Sequence, residues 1–279
     1  MSSFLSYWWY RFRSALRWYL AARTRYDVHS PFLSAFVREV YADDRYYHAF
    51  GLVRQLRKFW NTQRQTVRLR SLGAASRTTR KPERTAASLV RTNAINHRHG
   101  KLLFRLALWL RPTCIVELGT NAGISTLYLH AADTRTPLFT VEGNAEVSAL
   151  ASETFRRAGV SPKLHAFTMT FRTFFANHWP PGKKNLLAFI DGDHRYAPTL
   201  EYIDRLLETA TPESVIVVAD IHWSADMERA WTTLKAHPRI TASVDTYHFG
   251  ILFLRPQLRG PHLSLIPTRY KPWRVGFFS

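Results

Sequence analysis

The chain has 279 residues, 46% hydrophobic and 14% aromatic, a composition that supports a sizeable core and excludes a disordered chain. A formal charge of +19 favours polyanionic partners such as RNA or an anionic membrane surface, unless it reflects a generally arginine-rich composition. The single cysteine, Cys114, excludes a disulfide framework and a cysteine-built zinc site and fits a cytoplasmic setting.

Phe4, Trp8, Phe12, Ala15, Leu16 and Tyr19 recur at helical spacing with Arg13 and Arg17 opposite, predicting an amphipathic helix over residues 3–22. Its aromatic face is expected to meet the domain, a second subunit in a homodimer, or a membrane surface in peripheral association. Arg11, Arg13 and Arg17 interrupt the apolar centre that a secretory signal needs, and no uncharged run reaches the ~18–20 apolar residues of a bilayer span. Ser30 and Pro31 form an N-cap and first turn ahead of Phe32, Phe36, Val37 and Val40, predicting a second helix over 31–42. From Arg54 to Arg84 the only carboxylate is Glu83, and Gly73 to Thr79 is small and polar, so this stretch reads as flexible or partner-contacting.

Ala86 to Thr92 reads as helical, and Leu102, Leu103, Leu106, Ala107 and Leu110 form a helix that Pro112 ends. Five apolar runs then alternate with helical patterns: Cys114–Leu118, Leu138–Glu142, Leu164–Met169, Leu186–Asp191 and Val215–Asp220. That alternation predicts an α/β fold with a parallel sheet covered on both faces. Two closely spaced runs, Ile240–Tyr247 and Phe249–Leu254, predict a closing antiparallel pair. The expected organisation is a basic, aromatic helical extension over 1–84, a catalytic domain over 85–256 and a basic tail over 257–279.

The first predicted strand runs into Glu117-Leu118-Gly119-Thr120-Asn121-Ala122-Gly123-Ile124-Ser125, a turn with two glycines before a helix. Glycines there let backbone approach a ligand. The spacing is G-x-x-x-G rather than the G-x-G-x-x-G of a pyrophosphate site, and Glu117 would repel phosphate. An acid suits instead a ligand with an ammonium and a sulfonium, as in S-adenosylmethionine. Glu142 ends the next strand, where a carboxylate accepts hydrogen bonds from ribose hydroxyls.

With Gly100-Lys101-Leu102-Leu103, Phe189-Ile190-Asp191-Gly192-Asp193-His194-Arg195-Tyr196 and Asp220-Ile221-His222-Trp223-Ser224, these residues carry a resemblance. The run from Leu102 to Leu254 resembles class I S-adenosylmethionine-dependent methyltransferases, nearest to the small O-methyltransferases related to catechol and caffeoyl-CoA enzymes. The resemblance implies a seven-stranded Rossmann-like methyltransferase sheet with an antiparallel last strand, behind an N-terminal helical extension. It implies S-adenosylmethionine as cofactor and a small-molecule acceptor. Carried over by position, Glu117, Gly119, Thr120, Asn121, Gly123 and Ser125 line the methionine part, Glu142 holds the ribose, Thr168 lies towards the adenine, and Asp191 lies between sulfonium and acceptor. His194 and His222 join Asp191 as catalytic candidates. Metal-dependent relatives hold a divalent cation with the Asp191-type acid and an Asp-Asn pair; here Ala219 and Asp220 occupy that pair, leaving Asp191 and Asp220 as candidate ligands for Mg2+. The alternatives are an RNA methyltransferase gripping phosphates with the basic N-terminal segment, or a degenerate cofactor-binding module. His29, His97, His99, His130 and His178 show no ligand spacing and read as surface or structural residues.

Overall fold

The computed structural model describes residues 2–69, 83–258 and 260–274. Gly73 to Thr79, the last five residues and the side chain of Phe4 therefore lie outside the described residues. The N-terminal part is helical: α1 (Ser2–Ala21), α2 (Pro31–Phe36, extended by a π turn over Val37–Tyr41) and α3 (Ala49–Thr62). Two short antiparallel strands, β1 (Thr66–Arg68) and β2 (Glu83–Thr85), precede α4 (Ala86–Asn93) and α5 (His97–Leu110). The Thr85 and Asn96 side chains cap these two helices, and Arg111 in the left-handed region followed by Pro112 ends the second.

The alternating half follows the predicted order. Strands β3 (Cys114–Leu118), β4 (Leu138–Glu142), β5 (Leu164–Thr168), β6 (Leu186–Ile190) and β7 (Val215–Ala219) are parallel. Helices α6 (Ile124–Ala132), α7 (Ala145–Ala158), α8 (Phe171–Asn177), α9 (Tyr196–Thr209) and α10 (Ala225–Lys235) connect and follow them. Then β8 (Ala242–Asp245) and β9 (Phe249–Phe253) close the sheet, β9 running antiparallel between β7 and β8. β3, β6 and β7 are buried at every position, which is why they read as continuous apolar runs rather than alternating ones.

Two expectations are corrected and a third is narrowed. The sheet has eight strands in the order β10-β8-β9-β7-β6-β3-β4-β5: β10 (His262–Ser264) pairs parallel with β8, so part of the C-terminal stretch joins the sheet. Residues 54–62 are not a loose basic segment but the body of α3, whose Phe50, Val53, Leu56 and Trp60 are buried; Trp60 Nε1 donates to Thr154 Oγ1 of α7 at 2.8 Å. And α1 packs by a different face than its aromatic periodicity suggests. Ser14 is buried, whereas Trp8, Trp9, Phe12, Leu16 and Leu20 are exposed, Trp9 and Leu20 by more than 60%.

One core cluster runs from α2 and α3 through α5 and α6 to the strands, so the N-terminal helices are part of the domain's core rather than an appendage. The tightest crossing is between α5 and α6, where a Cβ built on Gly100 would lie 2.1 Å from the ring of Tyr128, itself fully buried. Gly100→Ala is therefore expected to cost about 1–3 kcal/mol, because the ring has no solvent to retreat into; thermal denaturation with an unchanged melting temperature would contradict this packing.

Candidate functional site

In an open, mostly parallel sheet, ligands bind at the carboxyl ends of the strands. Here the turns after β3, β4, β6 and β7 meet at that edge. Gly119 and Gly123 both have positive φ, +109° and +78°. A Cβ on Gly119 would lie 2.3 Å from the carbonyl oxygen of Asp191, and one on Gly123 would strike the Phe155 ring. The glycines are thus required by chain conformation and by internal contacts, a demand that stands beside any role in ligand approach. Backbone bonds from Gly119 N to Val141 O (2.9 Å) and Asp191 N to Leu118 O (2.8 Å) fix the three strand ends to one another.

Glu117 is wholly buried. Its Oε2 accepts from the hydroxyls of Thr126 and Thr140, while Oε1 has no hydrogen-bond partner among the described residues. Burial drives its pKa up to about 7, against the pull of the Ser125, Thr126 and Thr140 hydroxyls. Thr120 is also buried and bonds Thr140 at 2.6 Å. The sequence reading placed Glu117, Thr120 and Ser125 against a ligand; the structure gives the first two to a hydroxyl network tying β3 to β4 and α6.

Glu142 sits differently. Its Oε2 accepts from Asn121 N at 3.0 Å and its Oε1 from Asn144 N at 2.9 Å, so backbone fixes the carboxylate in orientation. Burial raises its pKa, partly offset by the amides of Asn144, Asn121 and Gly143. Asn121 itself has φ +51° and bonds Ala122 N through its side chain. Thr168, directly across from Glu142 on β5, is exposed and bonds Ser148 at 2.6 Å.

Asp191, His194 and Asp220 converge: one ligand-capable atom of each lies within 4.8 Å of the others. His194 Nε2 is 3.8 Å from Asp191 Oδ1 and 4.0 Å from Asp220 Oδ2. Desolvation raises the Asp191 pKa to about 7, with the His194 charge opposing and the Asp220 and Glu117 charges adding. A quarter of the Asp191 side-chain surface nevertheless faces the cleft. The intervening Asp193, at φ +51°, is held by Arg195 and by Tyr202 Oη (2.9 Å), which shapes the turn that presents His194. Ala219 is buried in β7, so the carboxylate available there is that of Asp220, at φ +54°.

His222 does not join this cluster. Its Nδ1 lies 2.9 Å from Glu228 Oε1 and its Nε2 2.9 Å from Asp245 Oδ2, with the ring stacked on Tyr247. Burial opposes its charge, but the bonds and charges of Asp245 and Glu228 outweigh burial and raise its pKa to about 9. With both nitrogens engaged between carboxylates it is a fixed cation rather than a free base. The missed signal is in α1: Ser14 Oγ bonds Glu228, Arg11 donates to the His222 carbonyl at 3.3 Å, and Trp18 Nε1 to the Asp245 carbonyl at 3.4 Å. His222 is thus the anchor of the N-terminal helix.

With this geometry the comparisons can be placed. Residues 116–221, from within β3 to just past β7, match the family model described as a methyltransferase domain. No curated protein sequence matches the chain. Among solved structures it is similar to the O-methyltransferase TomG from Streptomyces achromogenes in complex with SAM, at 16% identity and TM-score 0.54, covering 76% of this chain and 91% of that one. It is also similar to the O-methyltransferase from Bacillus cereus in complex with SAH, at 17% and 0.54, covering 79% and 96%. A methyltransferase from Podospora anserina bound to SAH stands at 15% and 0.56, covering 80% and 94%. At such identities the likeness is one of fold.

The His222 anchor has a pH signature. A histidine raised from 6.5 to about 9 contributes stability that is fully present below about pH 6.5 and is lost as pH rises through about 9. Glu228, where bonds from His222 and Ser14 outweigh burial and lower the pKa to about 2, reports the same interaction from the acid side. Wild type should lose on the order of 2–3 kcal/mol between pH 6 and 9.5 that His222→Gln does not lose; parallel thermal melts with equal pH slopes would refute the ion triad.

Proposed function

We propose that the protein is an S-adenosylmethionine-dependent O-methyltransferase, with Glu142 receiving the ribose hydroxyls, the Gly119–Gly123 turn beside the methionine part, and Asp191, His194 and Asp220 facing the acceptor. The supporting observation is the contact at Gly119: the turn after β3 touches the backbone of Asp191, so a ligand on that turn and an acceptor at the acid cluster would be neighbours. Bound S-adenosylmethionine supplies an activated methyl on sulfur. The protein's own work is then positioning and proton removal. As the acceptor oxygen takes up the methyl group, its proton would pass to His194 Nε2. Asp191 and Asp220 flank the imidazolium so formed.

The same three side chains are a donor set that fits one divalent cation. A cation held there would supply positive charge to an acceptor oxygenate, and the imidazole favours Mn2+ over Mg2+. Turnover in a chelator separates the readings: the His194 mechanism expects activity to survive chelation and to fall at least about a hundredfold in His194→Ala. For cofactor binding, Glu142→Ala should weaken S-adenosylmethionine affinity by about tenfold to a hundredfold in calorimetry, through lost hydroxyl bonds. No saturable binding to wild type would end the reading.

The outward face of α1 supports peripheral contact with an anionic membrane surface. Trp8, Trp9, Phe12, Leu16 and Leu20 are exposed beside the exposed Arg13 and Arg17, an interfacial arrangement of aromatic and cationic groups. Among the described residues no helix is long and apolar enough to cross a membrane. Flotation with phosphatidylglycerol vesicles is expected for the full chain and not for a Trp8→Ser, Trp9→Ser, Phe12→Ser variant; equal flotation would discard this contact.

A further inference from the structure

Beside the acid cluster lies a cavity of about 550 Å³, within the size range of small-molecule sites. Five separate parts of the chain wall it, among them Trp18 and Tyr19 of α1, Tyr41 after α2, Leu102 of α5, His248 between β8 and β9, and Ile266 of the C-terminal stretch. Its apolar lining surface exceeds the polar. At one side His99 and His248 face each other with ring centroids 4.6 Å apart. This side touches the cluster directly, since Asp220 N donates to the His248 carbonyl oxygen at 2.7 Å.

The charges around this cavity are one-sided. Among the described residues no aspartate or glutamate lines it, while Arg98 and Arg105 do. Arg105 is already committed, 3.2 Å from Asp43 with both side chains nearly buried, and donates to the Arg45 carbonyl. Arg98 stands by the Tyr41 phenol, and among the described residues no carboxylate is within ion-pair distance of it. Burial first, then the charges of His248 and Arg98, lower the His99 pKa to about 3, so at neutral pH this ring carries no charge that would satisfy an anion or repel an apolar body.

We propose that this cavity receives the methyl acceptor, and that the acceptor is an organic anion with an apolar body of aromatic dimensions, its acidic group paired with Arg98 and its reacting hydroxyl at the His248–Asp220 side. The proposal rests on the methyltransferase reading above and adds the acceptor's chemical class. It also gives α1 a second task. The helix anchored by His222 supplies the cavity's aromatic wall through Trp18 and Tyr19, so the acceptor site is completed by a segment outside the matched methyltransferase domain.

The test compares two fluorescent probes of the same apolar body, anilinonaphthalene sulfonate, which carries one anionic group, and uncharged phenylnaphthylamine. Wild type should bind the sulfonate about tenfold or more tightly than the uncharged probe, since a charge-assisted Arg–anion bond is worth that much. Arg98→Gln should reduce the ratio to near one, with uncharged-probe binding retained, and Arg98→Lys should keep part of it. Ala15→Trp, which fills the cavity from α1, should abolish both signals, while Trp8→Ser on the helix's outer face should leave both. Equal affinity for the two probes in wild type, a ratio unaltered in Arg98→Gln, or sulfonate binding that survives Ala15→Trp would each overturn the proposal. S-adenosylmethionine titration of the same proteins keeps the two readings apart. Arg98→Gln should bind it as wild type does, whereas a wild-type chain that binds none overturns the methyltransferase reading, and with it the acceptor role, whatever the probes do.

Discussion

The site is organised by a place where no Cβ fits. At Gly119 the chain leaves β3 with a φ of +109° and passes so close to the Asp191 carbonyl that any side chain would overlap it. That contact fuses the turns after β3 and β6, strands that lie side by side in the middle of the sheet although far apart in sequence. Everything proposed for the chemistry depends on the fusion: Glu142 on one flank, the Asp191, His194 and Asp220 cluster on the other, and the cavity beyond Asp220. Below it, the buried Glu117 and its threonine partners hold β3, β4 and α6 in register, at the cost of an acceptor oxygen with no donor.

Much of the sheet was legible because a fully buried parallel strand writes itself as an unbroken apolar run. Cys114–Leu118 and Leu138–Glu142 match the structure residue for residue, and the others differ by one or two positions at their ends. The short β10 was not legible, because three residues paired along one edge carry no periodicity. Nor was α3, whose basic residues line the outside of a helix with four buried apolar positions and so dominated the composition of the stretch.

For the site the division is similar. Asp191, His194 and Asp220 meet because they follow strands at the carboxyl edge of the sheet, where sequence position and spatial position coincide. His222, two residues beyond Asp220, shows the limit of that logic: its partners Asp245, Glu228 and Ser14 come from three other elements, and only the folded chain brings them together. His99 was read as surface or structural, yet it lines the cavity beside His248, which comes from the distant connection between β8 and β9. The N-terminal helix teaches the same lesson. Its aromatic stripe is the stronger pattern, but a serine and an arginine on the other face make the specific bonds, leaving Trp8, Phe12 and Leu16 of the stripe outward while Ala15 and Tyr19 line the cavity.

The account's central claim is that the Gly119 turn and the acid cluster are the donor and acceptor sides of one reaction centre. A crystal structure with S-adenosylhomocysteine tests it most directly. The account predicts ribose hydroxyls on Glu142 and the ligand's sulfur over the Gly119 turn, facing His194 and Asp191 at a distance of roughly 5 Å, close enough to leave room for a transferred methyl group. A ligand bound elsewhere, or bound with its sulfur turned away from that cluster, would contradict it.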